Sequence, residues 1–125
     1  WHAAGNQLAY KVMNDALMKY NFDDRYRVVG WYFDQKIVAL PDKVFATFYK
    51  DDSTGRILIV LLNNNEKELN LELALDWKAL GISDPNQRAV DDALFHEGAS
   101  IRDGKLMTPI GAANTRLIVI QPAAR

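Results

Sequence analysis

The sequence contains no cysteine. That excludes a disulfide framework, a thiolate nucleophile and a Cys-ligated zinc site, and leaves the redox compartment undecided. It has only two histidines, His2 and His96, and they do not form the i, i+4 pair by which a helix holds zinc. Asp92, His96 and Glu97 would make a ligand set only if a loop turned all three to one side, so neither a metal nor another cofactor is expected. No apolar run approaches the roughly 18 residues needed to cross a bilayer, and no charged start leads into a signal-peptide core. Positive charge is not concentrated anywhere: 15 Lys plus Arg stand against 16 Asp plus Glu, for a net charge of -1. Neither nucleic acid nor a membrane surface is therefore expected as a partner.

Catalytic signatures are equally scarce. Ser53, Ser83 and Ser100 lie in turn or edge contexts, and none sits in a G-x-S-x-G elbow. The stretch "GKLMTP" from Gly104 lacks the arrangement of a phosphate-binding loop. Asp51-Asp52-Ser53-Thr54-Gly55 has one residue too many for an aspartic protease loop and no second copy, and a carboxylate dyad needs two. The acidic doublets Asp23-Asp24, Asp51-Asp52 and Asp91-Asp92 are adjacent in sequence, so on a strand their members face opposite ways. A glycosidase instead holds its two carboxylates about 5 to 9 Å apart across a cleft. No catalytic residue is assigned.

What is present suits one soluble domain. The chain has 125 residues, with 49% hydrophobic and 25% charged, enough for a single core and too short for two. It begins at Trp1 rather than Met, which raises the expectation of a piece cut from a longer protein.

From Asn6, placed to cap, apolar residues Leu8, Ala9, Val12, Met13, Ala16, Leu17 and Tyr20 recur at helical spacing. Asn21 suits the left-handed stop, with Phe22 reaching back to Leu17. The apolar arc is wider than one contact surface requires, so this helix is expected to have two partners. An aromatic connector follows, with Gly30 before Trp31, Tyr32 and Phe33, up to the turn at Pro41-Asp42.

Beyond residue 42 the pattern is β. The runs 43–50 and 56–63 flank Asp52-Ser53-Thr54-Gly55, a hairpin turn that places the acidic pair at a solvated tip. The second run is apolar on both faces, as in a central strand between layers. Leu69, Leu71, Leu73 and Leu75 alternate with Asn70, Glu72 and Ala74, predicting a half-buried strand. Asp76 is placed to cap one helical turn closed by Gly81, and Pro85 is expected to keep the next loop irregular. Asp103-Gly104 signals a two-residue hairpin, and 115–120 a last strand. The reading is mainly β: an antiparallel β-sandwich over 43–125, with one N-terminal α-helix and connector over 1–42 packed on it.

Aromatic side chains are the one route to a ligand. Trp31, Tyr32 and Trp77, with Tyr26, would stack sugar rings if exposed. Their apolar neighbours Val28, Val29 and Leu80 favour burial instead.

The order of these pieces, "VVGWYFD", "VFATFYKDDSTGRILIVLLNN", "LALDWKALGI", "AVDDALF", "DGKLMTPI" and "TRLIVI", resembles the C-terminal β-sandwich region of large bacterial glycoside hydrolases. The resemblance rests on the apolar strand ending at Asn63, the stretch Leu75 to Gly81, the aspartate at 91 or 92, and Arg116-Leu117. "GAANT" at 111–115 departs from the Pro-rich approach to the last strand expected there. The resemblance implies a non-catalytic accessory domain that stabilises a (β/α)8 catalytic barrel upstream in the same chain. It also implies export, whether secreted or periplasmic. The helix would then be the last of the barrel or one following it. Two alternatives stand beside this reading: a carbohydrate-binding module using exposed aromatics, and a free-standing extracellular interaction domain.

Overall fold

A computed structural model describes residues 15–19, 25–30, 38–94 and 98–122. Within them the chain is mainly β, with eight strands in two antiparallel sheets and a short helical segment at 15–19. The remainder of the expected N-terminal helix, together with Trp31, Tyr32, His96 and Glu97, lies outside the described residues.

The larger sheet has five strands: β1 (Tyr26–Gly30), β2 (Val44–Asp51), β3 (Ile57–Asn63), β5 (Val90–Asp92) and β8 (Asn114–Ile120), in the order β1-β2-β3-β8-β5. The smaller has three, β4 (Leu69–Ala74), β6 (Ser100–Arg102) and β7 (Lys105–Ile110), in the order β4-β7-β6. Both runs that flank the Asp-Ser-Thr-Gly turn pair as expected, Val44 opposite Asn63 through Lys50 opposite Ile57. The apolar run is central, with β2 on one side and β8 on the other. The edge strand β1 comes from the aromatic connector, where no period announced it. Its register slips between Val28 and Gly30, a bulge at Val29 that fits a strand of irregular sequence.

Turn chemistry accounts for the connections. Asp103 and Gly104 both have positive φ, 50° and 74°, as a primed two-residue hairpin needs to match strand twist. Asp76 Oδ1 accepts from the amide of Ala79 at 3.0 Å, and Gly81 ends that turn at φ 74°. A Cβ at Gly81 would come within 2.5 Å of the Lys50 ammonium, so the glycine also lets that side chain lie across the turn. Pro85 does not keep its loop irregular: Pro85–Gln87 is a 3₁₀ turn with proline in the first turn, where its missing N–H costs nothing.

Alternation sets the core. Ala46, Phe48, Ile57, Ile59, Leu61, Ile118 and Ile120 of the larger sheet form one buried cluster with Leu71, Leu73, Leu106 and Ile110 of the smaller. The leucine strand behaves as read, with Leu71 and Leu73 buried while Asn70, Glu72 and Ala74 are exposed. Leu75 continues its row, buried and bridged to Val38.

Two polar assemblies close the ends. At one, buried Asn63 donates through Nδ2 to the carbonyls of Lys67 (2.9 Å) and Gly111 (3.1 Å). Its Oδ1 accepts from the backbone and side-chain amides of Asn65, at 3.0 and 2.9 Å. One amide side chain thus ties the β3–β4 and β7–β8 loops. At the opposite end the Trp77 indole N–H donates to Gly104 O at 2.7 Å, and Asn86 Oδ1 accepts from the Gly104 amide at 2.8 Å.

Candidate interaction face

The acidic pair at the β2–β3 hairpin divides in two. Asp52 is exposed, as expected, and its carboxylate takes a two-pronged contact from Arg27 of β1, one limb at 3.1 Å. Asp51 corrects the expectation of a solvated tip, because it is only 2% exposed. Its carboxylate accepts from the Ser53 amide (2.9 Å), the Ser53 hydroxyl (2.6 Å) and the Thr54 hydroxyl (3.0 Å). The Ser53 hydroxyl, above all, holds this carboxyl below the usual aspartate range, against the opposing pull of burial. Arg27 does the same for Asp52. A carboxylate whose acceptor sites are filled by its own turn organises backbone; it is not poised to take a proton from a substrate.

The doublet Asp91-Asp92 splits across β5. Asp92 turns to the inner face and meets Arg116 of β8, Nε to Oδ2 at 3.3 Å, with both side chains almost wholly buried. The two sit diagonally across the ladder, since Asp92 lies opposite Ile118 and Arg116 is two residues before it. Such a pair adds little net stability while intact but leaves a costly buried charge if one partner is removed. Among the described residues no three His, Asp or Glu side chains gather to hold a metal ion.

Of the aromatic candidates, Trp77 is half-buried, packs against the inter-sheet core and commits its indole N–H to Gly104. Tyr26 is buried in a second cluster. Neither Trp31 nor Tyr32 falls within the described residues.

That second cluster defines the most distinctive surface. The outer face of the five-stranded sheet is apolar in successive cross-strand rows, read from the registers of β2, β3 and β8: Tyr49-Leu58-Val119, Thr47-Val60-Leu117 and Phe45-Leu62-Thr115. The helical segment 15–19 lies over the first rows, where Ala16 and Leu17 join Tyr26, Leu58, Val60, Leu117 and Val119. At the last row Phe45 and Leu62 are 37% and 39% exposed, and Met18 on the helical segment is 75% exposed. These are the exposed large hydrophobic side chains among the described residues. The outer face of the smaller sheet differs: Asn70, Glu72, Lys105 and Arg102 are exposed there. Sequence reading found the strand that is apolar on both faces, but only the register places Phe45 beside Leu62.

No family model matches the chain, and no curated protein matches it in sequence. Solved structures share its fold. Alpha-galactosidase I from Mortierella vinacea matches over 90% of this chain and 28% of its own, at 12% identity and a TM-score of 0.57. A candidate alpha-N-acetylgalactosaminidase from Bacillus halodurans matches over 70% of this chain and 20% of its own, at 12% identity and a TM-score of 0.53. An Anoxybacillus alpha-amylase matches over 71% and 18%, at 12% identity and a TM-score of 0.52. The chain therefore spans between 18% and 28% of the length of these glycoside hydrolase chains, and shares with them a fold.

Proposed function

We propose that this chain is a non-catalytic accessory domain of a glycoside-hydrolase-like protein, its two sheets, β1 through β8, closed as a β-sandwich. It follows a (β/α)8 catalytic barrel in the same polypeptide and stabilises it by docking through the outer face of the larger sheet. The observation that carries this reading is the divided apolar face. One half is covered by the chain's own helical segment, and the other presents Phe45 and Leu62 at a strand-to-strand contact. The likeness to minor portions of glycoside hydrolase chains supports the context. Satisfied or paired carboxylates at Asp51, Asp52 and Asp92 support the absence of chemistry in the domain itself.

The test compares two settings of one double variant, Phe45→Ser with Leu62→Ser. In the domain alone both side chains are only 37% and 39% exposed, so each change is expected to cost roughly 1 to 2 kcal/mol through the covered area and strand propensity it loses, with the fold retained. In the full-length protein the same pair is expected to lower the melting temperature of the catalytic domain by several degrees. Unchanged melting of the full-length protein would show that the face is not the docking surface. A reading frame 5′ to the Trp1 codon that encodes no barrel would overturn the accessory role itself.

A further inference from the structure

We draw no further inference here: the strongest candidate, the shallow groove on the outer face of the three-stranded sheet lined by Asn70, Glu72, Met107 and Pro109, carries nothing because nothing in the structure shows what covers it.

Discussion

At the scale of single residues, polar side chains in this protein serve mainly as internal connectors. Asp51 is the clearest, a carboxylate enclosed by the two hydroxyls and the amide of its own turn. Its folded pKa lies below the usual 3.8, so its contribution to stability is complete above that value and is lost as pH falls toward the folded pKa. Asp51→Asn is expected to cost about 1 kcal/mol at neutral pH, since a neutral acceptor makes weaker bonds than a charged one. The unfolding curves of parent and variant should converge below about pH 3.8, which urea titrations across an acid series will check. Parallel curves down to pH 2 would mean that the carboxylate charge is not what the turn holds. Sequence made the turn legible through Ser, Thr and Gly, yet it could not disclose the burial of Asp51. That depends on three donors folding back over one side chain, and composition alone reads an acidic pair beside a turn as wet.

Elements were legible where a side chain's environment is fixed by its immediate neighbours. Strand β4 announced itself because buried leucines alternate with exposed polar residues, and β3 because it is apolar on both sides. Leu71→Asp tests the β4 assignment: it places a charge in the inter-sheet cluster, where Leu71 is 4% exposed, and should cost several kcal/mol. Circular dichroism is expected to find the variant unfolded, and a melt like the parent's would refute the strand's facing. Asn63 poses a different case. Its run of three asparagines reads as a turn, whereas its side chain reaches residues far along the chain to satisfy Gly111 O. Asn63→Asp replaces two donated hydrogen bonds with a carboxylate facing carbonyl oxygens, and is expected to destabilise by about 2 to 4 kcal/mol in urea unfolding. Strand β1 and the Asp92–Arg116 pair stayed hidden for the same reason. Their status follows from which strand lies alongside, and that pairing is not a local property of either segment.

Over the whole molecule, protection should follow position in the larger sheet. Strands β3 and β8 are interior, share a seven-residue ladder and are buried on both faces, while β5 is an edge strand of three residues. Amide hydrogen exchange is therefore expected to be slowest in β3 and β8 and fastest among the strands in β5 and β6. Rapid exchange at Ile59 or Ile118 would contradict the central placement. The exposed row at Phe45 and Leu62 was the part of the candidate site least open to reading. Both residues look like core in sequence, and only their place at the far end of a face otherwise covered by the helical segment reveals them as surface.

The strand order carries a consequence for biosynthesis. β8, the last of the eight to leave the ribosome, is not added to an edge but inserts between β3 and β5, and β5 has no other ladder to join. Until that strand emerges, the nascent polypeptide holds a three-stranded half-sheet whose apolar margin at Leu58 and Ile59 awaits partners, Val119 and Ile118, synthesised about sixty residues later. Translation thus carries an adhesive intermediate until β8 has been made, and a stop codon shortly before Asn114 would release that intermediate rather than a slightly weakened domain.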